Sequence, residues 1–168
     1  MKIRPVVSGD AAALAAIYAP HVRDSAVSFE YDAPGAEEMA ARISTYTVRF
    51  PWLVAEEDGH VLGYAYATPY RERKAYQFSC ESSVYVAESC HQRGIASALY
   101  TALFAELQQR GMRWVYAVIT LPNEPSERFH ARQGFSSFAI FKKTGFKFGQ
   151  WHDVLWMEKQ LPPFDQEA

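Results

Sequence analysis

The sequence predicts an α/β (α+β) fold: one domain with a mixed, mostly antiparallel sheet flanked by about four helices. Two observations carry this. Segments of period-two apolar alternation recur between segments with helical spacing, in the order βααβββαβαββ. In addition, 168 residues with 49% apolar content suit a single core of ordinary size, and no repeat or low-complexity linker divides the chain.

Each element has a local reason. Ile3 to Val7 reads as a first strand. Asp10 is placed to cap a helix with Leu14, Ile17 and Tyr18 on one face, ending before Ser25. Val27 to Glu30 is short and extended. A second helix spans Glu37 to Phe50, with Met39, Ile43, Tyr46 and Phe50 at helical spacing. Strands Trp52 to Glu56 and Val61 to Ala67 flank Asp58-Gly59, a hairpin signal. A polar loop from Tyr70 to Lys74 leads into a strand from Tyr76 to Val86. The third helix runs from Gly94 to Arg110 and stops at Gly111, in the C′ position. Trp114 to Ile119, apolar throughout, reads as a central strand buried on both faces. A short helix from Asn123 to Arg132 closes at Gly134. Two strands, near 135–146 and 151–159, complete the sheet around Gly149-Gln150. The domain is placed at 1–161, followed by a C-terminal tail from 162 to 168.

Composition narrows the function. A net charge of −2 gives no dominant positive field and argues against nucleic-acid binding. No apolar run is long enough for a membrane span or a signal peptide, and Cys80 and Cys90 lack any zinc-ligand or disulfide pattern. A cytoplasmic protein with no metal, nucleic-acid or membrane partner is the expectation. Aromatics at 15% fit a large core, an interface or a lined pocket.

The most informative stretch is Val84-Tyr85-Val86, then Cys90-His91-Gln92-Arg93-Gly94-Ile95-Ala96, then Ser97-Ala98-Leu99-Tyr100. A β-branched strand enters a basic turn with one glycine, and the turn opens a helix. Main-chain N–H groups of Arg93, Gly94, Ile95, Ala96, Ser97 and Ala98 would then converge, with the positive end of the helix dipole behind them. A pyrophosphate suits such a point. By itself the string is equally an ordinary glycine turn before a helix.

This arrangement resembles the acyl-CoA loop of the GNAT superfamily of N-acetyltransferases, whose pattern is Gln or Arg, two residues, Gly, one residue, then Gly or Ala. Gly94 and Ala96 match; His91 stands at the first position. The family's second signature is met by Asn123, Ser126, His130, Gly134 and Phe135, with His130 where a tyrosine general acid is usual. Otherwise His130 would read as a surface histidine on a short helix. The resemblance implies an acyl-CoA N-acyltransferase fold with a splayed central strand pair, and acetyl-CoA as cosubstrate. It implies contacts from Val84, Tyr85, Val86, His91, Arg93, Gly94, Ile95, Ala96, Ser97, Ala98 and Asn123.

Further strings are similar to the phosphinothricin and methionine sulfoximine acetyltransferases. They include Val27-Ser28-Phe29-Glu30, Pro51-Trp52-Leu53-Val54-Ala55-Glu56, Glu81-Ser82-Ser83-Val84-Tyr85-Val86, Leu121-Pro122-Asn123, Gly145-Phe146-Lys147 and Trp151-His152-Asp153-Val154. Thr120 departs, standing where glycine is usual. This likeness implies Glu81 as the base that accepts a proton from the acceptor amine. It also implies His130 as an acid or relay, and main-chain N–H groups near Val84–Val86 as oxyanion donors. Arg71 and Arg73 would hold an anionic small amino-acid acceptor, with Phe29 and Tyr76 as an aromatic wall. The residues alone leave Arg71 and Arg73 equally readable as a solvated loop, and Phe29 and Tyr76 as core packing. The resemblance further implies a homodimer. Acetylation of a different amine or a protein N-terminus, and a non-catalytic CoA-binding module, remain as alternatives.

Overall fold

The structure, a computed structural model, describes residues 1–162. The expected tail therefore lies outside the described residues from 163 onward. Seven strands form one sheet, β1 (Lys2–Pro5), β2 (Trp52–Glu57), β3 (His60–Pro69), β4 (Ser79–Val86), β5 (Trp114–Thr120), β6 (Ser136–Lys147) and β7 (Gln150–Gln160). Their order is β1-β2-β3-β4-β5-β7-β6, and every pairing is antiparallel except β4 with β5. Four α-helices flank it, α1 (Ala11–Arg23), α2 (Ala36–Tyr46), α3 (Ile95–Gln109) and α4 (Glu124–Arg132). The mixed α/β class and four-helix count agree with the reading from sequence. Among the described residues, no helix is long and apolar enough to cross a membrane.

The central strands serve two cores because their side chains alternate faces. Leu53, Ala55, Ala65 and Ala67 point to the α3 side, where they meet Leu99, Leu103 and Leu107. Trp52, Val54 and Tyr64 point to the other side and pack on Leu14, Tyr18, Val22, Met39 and Ile43. The Asp58-Gly59 turn has positive φ at both residues (51° and 79°), the geometry of a tight hairpin whose twist matches its strands. At the end of α3, Gly111 N–H bonds the Gln108 carbonyl and Met112 N–H bonds that of Leu107. This is the paired-bond C-terminus predicted from Gly111, with φ of 78°.

Four local expectations need correction. Asp10 caps nothing in α1. It sits in a 3-10 turn with helical backbone angles, and its carboxylate accepts from Val7 N–H (2.8 Å) and from Arg4 (2.8 and 2.9 Å). The second helix ends at Tyr46 instead of Phe50. Pro51 disfavours helical angles at the residue before it, so Phe50 turns into the α3-side core. Tyr76 belongs to a 3-10 turn from Lys74, and the strand starts only at Ser79. Finally, β5 buries one face, through Val115, Ala117 and Ile119, while Val118 is 42% exposed.

The last correction follows from the sheet's main irregularity. β4 and β5 pair over only three residues, Ser79 with Trp114 to Glu81 with Tyr116. Beyond them the strands part, as the expected splay requires. β4 keeps its full register with β3, down to Val86 opposite Gly63. A Cβ at Gly63 would lie 2.8 Å from the Tyr85 carbonyl oxygen and 3.1 Å from Val86 Cα. Gly63→Ala must therefore push β4 from β3, and a loss of about 1–3 kcal/mol in chemical denaturation is expected.

Candidate active site

A groove of about 560 Å³ opens where β4 and β5 part. The start of α3 forms one end. Gly94 takes φ of 75°, Gln92 takes 63°, and the space a Gly94 Cβ would occupy is open. The first bond of α3 runs from Ala98 N–H to the Gly94 carbonyl (3.0 Å). The N–H groups of Ile95, Ala96 and Ser97 therefore have no carbonyl within the helix. With the helix dipole they form a cradle for an anion. The groove then follows Val84, Tyr85 and Val86 toward Val118 and His130.

Of the residues expected to hold a cofactor, Val84, Tyr85, Val86, His91, Gly94, Ile95, Ala96 and Ser97 line this groove. Arg93, Ala98 and Asn123 are not in its lining. The Arg93 guanidinium pairs with Glu57 (2.6 Å), which does not involve the main-chain N–H expected to contribute. Ala98 N–H is used by the first bond of α3, and Asn123 uses its Oδ1 to accept from Ser126 N–H (3.3 Å) at the start of α4. The His91 ring bonds the Val86 carbonyl through Nε2 (3.2 Å), pinning the loop to the end of β4.

His130 is buried at 7% exposure, and both ring nitrogens are engaged. Nδ1 lies 2.8 Å from the Ser126 carbonyl and can only donate to it, so Nε2 carries the lone pair. Nε2 accepts from the Tyr100 hydroxyl (3.1 Å), which in turn accepts from Ser82 Oγ (3.3 Å). Burial pushes the imidazole below its ordinary value and the Tyr100 phenol above its own. The pair is thus neutral at neutral pH. The backbone at His130 is fixed too, since its carbonyl accepts from Phe135 N–H (3.0 Å) at the Gly134 helix end. Tyr100 and Ser82 escaped the sequence reading: one looks like a core helix residue, and nothing local links either to a position some 30–50 residues on.

Glu81 is not beside His130. It projects from the opposite face of β4, into a polar chamber of about 430 Å³ shared with Tyr66, Thr68, Ser83, Glu30 and Arg42. Burial raises its pKa, and the Arg71 charge partly offsets this. Glu30 is held ionised by Arg42, with both oxygens at 2.8 Å, and accepts from Tyr18 (2.8 Å). The indole Nε1 of Trp52 is buried in the chamber wall without a partner. Phe29, Arg71, Arg73 and Tyr76 stand outside both cavities. The Arg71 guanidinium lies over the Tyr70 ring (5.1 Å), Tyr76 meets that ring edge-on (5.6 Å), and Arg73 is exposed. Among the described residues no group of three or more His, Cys, Asp or Glu could hold a metal.

Free helix-start amides, a gap between strands and a half-buried carboxylate on the other face of β4 thus lie in one region of the sheet. The chain belongs to the acetyltransferase (GNAT) domain family, which it matches over residues 3–156. Acetyl-CoA is the acyl donor of that family. The chain is 38% identical over 154 residues to phosphinothricin N-acetyltransferase of Streptomyces viridochromogenes, covering 92% of this chain and 84% of that protein. It is 32% identical over 165 residues to the L-methionine sulfoximine/L-methionine sulfone acetyltransferase of Salmonella typhimurium, covering 96% and 95%. A phosphinothricin acetyltransferase of Sinorhizobium meliloti, solved with acetyl-CoA, superposes with a TM-score of 0.91 at 34% identity, covering 98% of this chain and 94% of that one.

The raised pKa of Glu81 has a consequence for stability. The folded protein binds this proton more tightly than the unfolded chain, so stability is lost as pH rises from the ordinary carboxylate value of 4.5 through the raised one. Glu81→Gln is expected to melt with the wild type near pH 4 and above it at pH 8. Coincident melting curves at both pH values would contradict the assignment.

Proposed function

We propose that the protein transfers the acetyl group of acetyl-CoA to the amino group of a small anionic amino acid. Methionine sulfoximine, methionine sulfone and phosphinothricin are the acceptors that its relatives' names favour. The observation that carries this reading is the parting of β4 from β5 immediately after Glu81. Ser83 borders both the groove and the Glu81 chamber, so the two cavities adjoin at this point of β4.

The residues divide the work. Amides at the start of α3 hold the pyrophosphate, and the free edge of β4 from Ser82 to Val86 lines the thioester arm and polarises its carbonyl. The acceptor arrives as an ammonium ion and must lose a proton before attack. Glu81 takes it; its raised pKa brings it nearer the amine's and makes it a better base than an exposed carboxylate. Arg71, whose positive charge Glu81 feels, attracts the acceptor's anionic end, with Arg73 beside it in the loop. Nitrogen then attacks carbon, and the C–S bond breaks as the N–C bond is completed. The second amine proton ends on the CoA sulfur. The neutral Tyr100–His130 pair carries it, Tyr100 accepting at oxygen while passing its own proton to Nε2, then reversing.

Thiol release with these acceptors, plain amino acids and an N-terminal peptide tests the reading. Turnover concentrated on the small anionic acceptors is expected, with kcat/KM reduced about 10²-fold or more in Glu81→Gln. Turnover on the peptide alone would replace the acceptor class, and tight acetyl-CoA binding without turnover would leave only a binding module. Tyr100→Phe and His130→Ala are each expected to lower kcat, and the double variant to lose no more than the worse single one, as members of one relay do.

The likeness also favours a homodimer. β6 is an edge strand on which Phe138, Ile140 and Phe141 are about half exposed. Apolar side chains left exposed along an unpaired strand suit a partner copy. Sedimentation velocity should give twice the chain mass, and Ile140→Asp should shift it toward one.

A further inference from the structure

Lys147, the last residue of β6, is 1% exposed and its partners are all main-chain carbonyls. Its Nζ donates to Val22 (2.6 Å), Ser25 (3.0 Å) and Ser28 (2.7 Å). The three ammonium protons meet three acceptors, so the group is fully satisfied. Val22 lies in the last turn of α1, where unpaired carbonyls and the negative dipole end favour a cation. Burying an ammonium is costly, and a group needed only for bulk would be served better by an apolar chain. What the ammonium adds is a fixed geometry for the segment that follows α1.

The rest of the β6–β7 tip grips the same segment. The Phe29 ring fills the space over Gly145, where a Cβ would come within 2.1 Å of it. His152 stands 6.0 Å from that ring, centroid to centroid, and its Nε2 bonds the Lys147 carbonyl (3.2 Å). The Tyr31 hydroxyl donates to the Phe146 carbonyl. The segment so held carries Val27, on the wall of the groove, and Glu30, on the wall of the Glu81 chamber.

We propose that Lys147 is the positioning residue of the acceptor pocket: its ammonium fixes the 25–31 segment, keeps Glu30 in place on the wall of the Glu81 chamber, and thereby sets which acceptor side chain that chamber admits. Lys147 touches neither substrate nor the reacting atoms and acts through the segment. The proposal rests on the acceptor reading given above.

Two variants test it. Lys147→Met removes the charge at similar length, and Gly145→Ala displaces the Phe29 ring while leaving the ammonium in place. Each is compared with wild type in two measurements: kcat/KM for methionine sulfoximine, phosphinothricin and methionine, and amide hydrogen exchange over 22–31 without ligands. In Lys147→Met, exchange over that segment should quicken at least tenfold. In both variants the ratios of kcat/KM among the acceptors should change at least fivefold, with KM for acetyl-CoA changing less than KM for the acceptor. Equal losses on all acceptors would show a merely structural lysine and overturn the proposal, as would unchanged exchange. If Lys147→Met fails to fold, the acceptor ratios of Gly145→Ala decide. Should the wild type acetylate none of these amines, the acceptor reading fails on that control and acceptor selection falls with it. The exchange data would still decide whether Lys147 holds the segment.

Discussion

The molecule depends on a broken pairing. Two adjacent parallel strands stop bonding after three residues, and the sheet survives because each has a second, continuous neighbour. β4 is secured along its length by β3, and β5 by β7 through seven registered pairs from Trp114 to Thr120. Main-chain groups that would otherwise bond across the gap are left facing it. Their unpaired state is tolerable because the gap is open to solvent and to ligand, where a closed core would leave polar groups orphaned.

The helices around the gap are correspondingly stiff. α3 is packed by Leu99, Leu103 and Leu107, each fully buried, so its free N-terminal amides hold their aim without a ligand. α4 is capped by Asn123 at its start and by a paired-bond glycine end, and Gln133 donates to Ser97 Oγ (3.1 Å), joining it to α3. A site whose donors are already in place spends little free energy on ordering when the acyl donor binds.

Most of the architecture was legible in the sequence, since the hairpin glycine, the helix-ending glycines and the alternation on β2 and β3 are local signals. The free amides at the start of α3 were legible for the same reason: one glycine turn and one helix start lie within a dozen residues. What escaped was non-local. The partner of the Arg93 guanidinium, Glu57, comes from 36 positions away. The burial of Lys147 has no local signal, because its three acceptors lie 119 to 125 positions earlier. The assumption that β5 is buried on both faces failed because apolarity cannot say whether a neighbouring strand stays paired. Val118 is apolar because it borders the groove.

The period of two along β4 has a final consequence. Ser82, Val84 and Val86 face the α3 side, and Glu81, Ser83 and Tyr85 face the side of α1 and α2. One strand therefore turns different side chains toward two cavities. The division is incomplete, since Ser83 and Tyr85 also border the groove, and only Glu81 belongs to the chamber alone. Of the β4 residues from Glu81 to Val86, Glu81 is thus the one whose replacement reshapes the chamber without touching the lining of the groove.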